Sequence, residues 1–229
     1  EGRQIFEQIA QTYRPNEGVA LWESFRPTDI AIALTSSKEI SVAGDRHTLV
    51  EMLGEGFESV ALRTRDARGR YRVVKIGKID LADNYRVMRP LLVEMSAQGL
   101  RSPSYLDYDQ SMNAILMEDA GPQTLEFKMR VERDDRTVLQ SILKAIGALK
   151  SLKSRLDMHH GDPAAANLIV QSPEVALIDF RFSPTIPFNS EIYRRRDVFT
   201  IMYTLYQFLY GKQALCVLET KNSIHRLES

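Results

Sequence analysis

"HHGDPAAANLIV", residues 159–170, sets a histidine pair, an aspartate and an asparagine ahead of an apolar run, and "VALIDF", residues 175–180, ends a second apolar run on another aspartate. The two runs are short and rich in β-branched and aliphatic residues, so they predict a small hairpin that brings Asn167 and Asp179 together. Asn and Asp side chains are hard oxygen donors. They suit Mg2+, whose shell is completed by waters and substrate phosphates. A third carboxylate beside them, Asp162, can orient a hydroxyl and accept its proton. Taken singly, a strand-end Asp reads as a turn or cap residue and His160 as a satisfied half-buried histidine. Taken together at this spacing, the residues make up a phosphoryl-transfer arrangement.

Outward from this stretch the chain falls into two halves. Residues 1–45 are mixed and form an N-terminal extension; Ile5, Phe6, Ile9 and Tyr13 in "RQIFEQIAQTY" have helical spacing and "TDIAIAL" is a strand or a short helix. Residues 46–121 read as five strands with one inserted helix. "RHTLVEML" is a strand, "GEG" a turn, "FESVALRTR" a second strand, "DARG" a hairpin turn and "RYRVVKIG" a third strand; a helix covers 81–100, and "YLDYDQSMNAILMEDAG" gives two more strands. Residues 122–229 are mainly helical. Val138, Ile142, Ala145, Leu149, Leu152 and Leu156 form the stripe of a long amphipathic helix capped by Asp134 or Asp135, and "RRRDVFTIMYTLYQFLYGK" (194–212) is a second helix ending near Gly211. A cleft between two such halves is a good place for a small ligand.

Composition narrows the function classes. Lys+Arg and Asp+Glu each total 30 among 229 residues, so no net positive field argues for a nucleic-acid binder. The one cysteine, Cys216 in "KQALCVLET", excludes a disulfide framework and a Cys-based metal site within the chain. The run "VFTIMYTLYQFLY" (198–210) is too short for a membrane span and carries Thr and Gln. The chain opens "EGRQIF" without a start Met and reads as a fragment or processed chain, with no signal-peptide pattern.

"HGDPAAAN" resembles the catalytic-loop pattern H-x-D-x(4)-N of the protein-kinase-like superfamily, and "IDF" resembles its metal-binding D-F-G, with Arg181 in place of Gly. The resemblance covers about residues 46–212. It implies a bilobal α+β fold with a five-stranded antiparallel first lobe and a reduced, mainly helical second lobe. It also implies ATP and Mg2+ as cofactors, Asp162 as catalytic base, Asn167 and Asp179 as metal ligands, and His160 as an organiser of the loop. In the first half, Gly54 and Gly56 would let backbone amides approach phosphates, in a short loop with Phe57 at its tip and Val60 packing on adenine. Lys75 at the end of "VVK" would hold the α- and β-phosphates and pair with Glu94 on the following helix. Met117 in "AILMEDAG" would be the gatekeeper, and backbone groups from Glu118 to Ala120 would bond adenine. Asp197 resembles the aspartate that braces the catalytic-loop backbone from a helix, and it is also a plain candidate N-cap.

The departures refine the expectation. Only seventeen residues separate Asp179 from Asp197, too few for an activation loop, and Gly161 replaces the usual Arg that would meet its phosphate. Ala164 stands where Ser/Thr kinases carry a Lys that touches the γ-phosphate. These features, with the short second half, resemble the minimal effector kinases of bacterial pathogens (the OspG/NleH group). That implies an atypical kinase, with Ser/Thr favoured, that is secreted from a bacterium and acts in the host cytosol on a host protein, with a host activator. Two alternatives stand beside it. "HGD…N…IDF" and "LMEDAG" also resemble aminoglycoside and choline phosphotransferases, though only seventeen residues follow Lys212 to build a small-acceptor site. A pseudokinase, a kinase-shaped binding module, is the other.

Overall fold

The computed structural model describes residues 39–56, 58–132, 134–170 and 174–210. The readings at residues 5–13, Phe57, Gly211 and Cys216 lie outside them. The chain is α+β and divides into two compact units, one of residues 1–94 with 103–119 and the other of residues 95–102 with 120–229.

The first unit is built on an antiparallel sheet of β1 (Glu39–Val42), β2 (Asp45–Glu55), β3 (Ser59–Asp66), β4 (Tyr71–Gly77), β5 (Tyr105–Asp109) and β6 (Ala114–Glu118). Their order is β1-β2-β3-β4-β6-β5. Among the described residues the sheet therefore has six strands rather than five. The added strand, β1, lies in what reads from sequence as the N-terminal extension. It is only four residues long, but its inward residues Ile40 and Val42 bury against Val74, Ala114 and Leu116. The sheet curls: the amide of Ala43, beyond edge strand β1, donates to Asp109 Oδ2 at 2.8 Å, at the end of edge strand β5.

Chemistry specific to each turn makes the hairpins. Asp66 accepts from the amides of Arg68 and Arg70 at 3.0 and 2.9 Å, and Gly69 takes φ of 76°, so "DARG" closes β3 onto β4. Asn113, fully buried at the β5–β6 turn, accepts from the Leu81 amide at 2.9 Å and donates to the Ile79 carbonyl at 2.6 Å. That side chain ties the β4 exit to helix α1 (Ala82–Ala97). On α1, Met88, Leu92 and Met95 bury one stripe.

The second unit contains α2 (Leu125–Val131), α3 (Asp135–Leu156), a 3-10 turn (Ala165–Asn167), the hairpin β7 (Leu168–Val170) and β8 (Val175–Leu177), and α4 (Glu191–Tyr210). Asp134 caps α3, accepting from the Arg136 amide, and Val138, Ile142, Ala145 and Leu152 are its buried apolar residues. The hairpin pairs Leu168 with Leu177 and Val170 with Val175. All six of its strand residues are buried. Its outer bonds run to Gln123 (Val170 amide to carbonyl, 2.8 Å) and to Arg101 (Leu177 amide to carbonyl, 2.9 Å), both within this unit. Among the described residues no helix is long and apolar enough to cross a membrane.

Candidate functional site

The second unit gathers Asp162, Asn167 and Asp179 on one frame. The 3-10 turn ends on Asn167 as β7 begins, and the Ile178 amide donates to the Asn167 carbonyl at 3.0 Å, locking the start of one strand to the exit of the other. Asn167 Nδ2 donates to the Asp162 carbonyl at 2.9 Å and lies 3.4 Å from Asp162 Oδ2. A carbonyl only accepts, so the amide nitrogen must face Asp162, which leaves Oδ1 as the hard oxygen donor. Asp179 takes φ of 57°, left-handed backbone that lets its exposed carboxylate leave the hairpin while Phe180 turns inward.

Electrostatics agree with this closeness. The half-buried Asp162 carboxyl is raised above the ordinary aspartate range, first by burial and then by the negative charge of Asp179, with Arg181 and Arg196 pulling the other way. These oxygen donors, without His or Cys, fit Mg2+, which binds through one or two carboxylates plus waters and phosphates. Among the described residues no cluster of three or more His, Cys, Asp and Glu forms an all-protein metal cage.

Behind the carboxylates stands a buried brace. Asp197 on α4 accepts from the amides of His160 (2.9 Å) and Gly161 (2.7 Å), and His159 Nδ1 lies 3.6 Å from the same carboxylate. His160 is fully buried and stacked on Phe180 with ring centroids 4.3 Å apart. Burial lowers its pKa to about 4, against the Ile178 backbone and the Asp179 charge, so the ring is neutral at physiological pH. Its Nδ1 accepts from the Asp162 amide at 3.3 Å. The Arg181 amide donates to the His160 carbonyl at 3.1 Å, and the His159 amide to the Phe188 carbonyl at 2.8 Å. The short segment between Asp179 and α4 is thus bonded back onto the loop.

Gly161 has a structural reason that the sequence does not show. Its φ is +82°, and a Cβ added there would meet Arg181 Cβ at 2.9 Å and Tyr193 Cδ1 at 3.1 Å. Gly161→Ala is therefore expected to destabilise the protein by about 2–3 kcal/mol, from left-handed backbone strain plus overpacking. Urea unfolding checks this; an unchanged midpoint would mean that the loop relaxes without cost.

The other expected residues, Ala120 apart, lie in the first unit. Lys75 is half-buried in mid-β4, opposite Ala61 of β3 and Ile115 of β6. Met117 is opposite Val73, so Val73, Lys75, Ile115 and Met117 share one face. Val60 does not: it is opposite Ile76, on the other face, and Ala61 takes the place beside Lys75. Glu94 is exposed and makes no ion pair among the described residues. It lies roughly 130° around α1 from the stripe of Met88, Leu92 and Met95, so the helix turns it away from the packed side and the expected pair with Lys75 is not formed. Glu118 is exposed; its amide donates to the Ser104 carbonyl at 3.0 Å. Ala120 is half-buried and begins the chain's return into the second unit.

Gly54 lies near the end of β2 and Gly56 just beyond it, and the Gly56 amide closes a tight turn on the Ser59 carbonyl at 2.8 Å. A Cβ would meet nothing within 4 Å at Gly54 and only the Ser59 carbonyl, at 3.9 Å, at Gly56. The turn itself does not require either glycine. Glu55 between them is ion-paired to Lys78. Sequence reading missed Arg63, buried on the Lys75 face and paired with Glu51 and with Asp119 (2.8 Å), which ties β3 to the end of β6. Its partners are too far apart in sequence for any local pattern to reveal them. Compared with known protein families and with curated proteins, the chain matches no family model and no curated relative.

Proposed function

We propose that this chain is an ATP- and Mg2+-dependent protein kinase that transfers the γ-phosphate to a protein hydroxyl, Ser/Thr favoured. The carrying observation is the frame that holds a carboxylate of raised pKa, Asp162, against Asn167 and close to the charge of Asp179. In this reading Asp162 orients the acceptor hydroxyl and takes its proton as the oxygen attacks Pγ; the bond from Pγ to the β–γ bridging oxygen breaks and its electron pair leaves with ADP. Asn167 Oδ1 and the Asp179 carboxylate would hold Mg2+, which supplies charge neutralisation for the phosphates. Asp197 and neutral His160 position the loop. Within the first unit, the Gly54–Gly56 turn has glycines unneeded by the fold that leave room for phosphates, and Lys75 is the cation that would hold them.

The effector reading extends this to a host protein as substrate and to activation by a host partner rather than by loop phosphorylation. The short, bonded-back segment after Asp179 supports it. One observation favours a second reading. Glu94, the expected helix carboxylate, is exposed and turned from the packed side of α1, a departure from the kinase pattern that is compatible with a pseudokinase that binds nucleotide without transfer.

Incubation with Mg2+, labelled ATP and either host-cell lysate or small acceptors separates the readings. Label on lysate proteins that disappears with Asp179→Ala supports the kinase. Label on small molecules alone supports a small-molecule phosphotransferase. ATP binding without transfer supports the pseudokinase.

A further inference from the structure

Two arginines, Arg181 and Arg196, bring positive charge to bear on the Asp162 carboxylate. The neighbours of Arg196 on α4, Arg194 and Arg195, are paired with Glu191 at 2.5 and 3.1 Å. Arg181 is exposed, and its guanidinium makes no hydrogen bond or ion pair among the described residues. Its root is nonetheless fixed: its amide bonds the His160 carbonyl at 3.1 Å, and its Cβ closes the space over Gly161. An uncommitted cation is thus anchored between the loop that carries Asp162 and the turn that carries Asp179. Its field reaches the Asp162 carboxylate, as does that of Arg196. The loop has Ala164 where a Lys would otherwise face the phosphate.

We propose that Arg181 is the cation that binds the γ-phosphoryl oxygens, replacing the charge that Ala164 cannot supply. This rests on the phosphotransferase reading and deepens it. The planar fork of a guanidinium donates two parallel bonds to phosphoryl oxygens, so it can follow the group as the bond to ADP lengthens and the bond to the acceptor oxygen forms. The alternative is a solvated surface arginine, which would be indifferent to whether the nucleotide carries a third phosphate.

That difference gives the test. Calorimetric titration of the full chain with Mg2+ plus ADP, and with Mg2+ plus the β,γ-imido analogue of ATP, measures how much the third phosphate adds. Arg181→Ala should weaken the triphosphate analogue about 10-fold and leave ADP within about twofold. Arg181→Lys should fall between, and Ala164→Lys in the Arg181→Ala background should recover part of the loss. Thermal unfolding of each variant identifies any that fail to fold; for those, the Arg181→Lys ratio decides. Unchanged discrimination, or equal losses for both nucleotides, overturns the role of Arg181 while the kinase reading stands. If the discrimination is lost as expected but the wild type transfers no phosphate, the charge role holds and the kinase reading falls. A wild type that binds neither nucleotide overturns both.

Discussion

Asp162→Asn is expected to lower phosphate transfer by about 10²–10⁴-fold, the usual worth of a positioned general base. Nucleotide affinity should stay near wild type. The substitution is nearly isosteric and leaves the main bond from Asn167, which goes to the Asp162 backbone carbonyl, intact. In the wild type the acid limb of kcat/KM should lie above the ordinary carboxylate range. Burial and the Asp179 charge raise the Asp162 pKa, and only the deprotonated form can take the hydroxyl proton. Activity therefore falls as pH drops through that raised value, and the limb should vanish in Asp162→Asn. Stability moves oppositely. A carboxyl with a raised folded-state pKa contributes stability below its unfolded-state pKa, and this is lost as pH rises through the folded-state value. Asp162→Asn should thus be no less stable than wild type at neutral pH. A variant that is both inactive and unfolded at neutral pH would show that Asp162 holds the loop rather than acting in it.

Asp197→Ala has the largest expected structural effect, about 3–5 kcal/mol, because it leaves two buried amides, of His160 and Gly161, without an acceptor. Part of that loss is offset, since burial raises the Asp197 pKa against the pull of those amides and His159, which marks a carboxylate that is itself costly to keep charged. Denaturant unfolding reads the net. A loss below about 1 kcal/mol, the scale of a single exposed bond, would mean that water or the loop replaces the brace.

What could be read from sequence depended on how local the cause was. The hairpin of β7 and β8, the cap at Asp134 and the turn at Asp66 follow from residues adjacent in the chain, and the structure has them. The sheet face of Val60 did not follow. Strand β3 is buried on both faces over much of its length, so its pattern does not say which alternate residues stand beside Lys75, and a shift of one residue inverts the answer. Glu94 misled for a similar reason: a place on the helix that follows Lys75 says nothing about the rotation of that helix, which Met88, Leu92 and Met95 decide. Strand β1 is too short to register a period of two, yet its two inward residues complete a core. In the candidate site the residue types and spacing were legible. The bond that orients Asn167, the left-handed backbone at Asp179 and the crowding at Gly161 are properties of the folded chain.

That crowding bears on what could be engineered. Position 161 admits no Cβ without moving Tyr193 or the Arg181 turn. On the proposed kinase reading, the arginine that would meet a phosphorylated activation segment thus cannot be introduced at 161 by one substitution. A designer seeking a phosphorylation switch here would have to rebuild the residue at 193, the turn at 181 and a longer segment before α4 together. Single-mutation paths that place a side chain at 161 are closed by the same crowding.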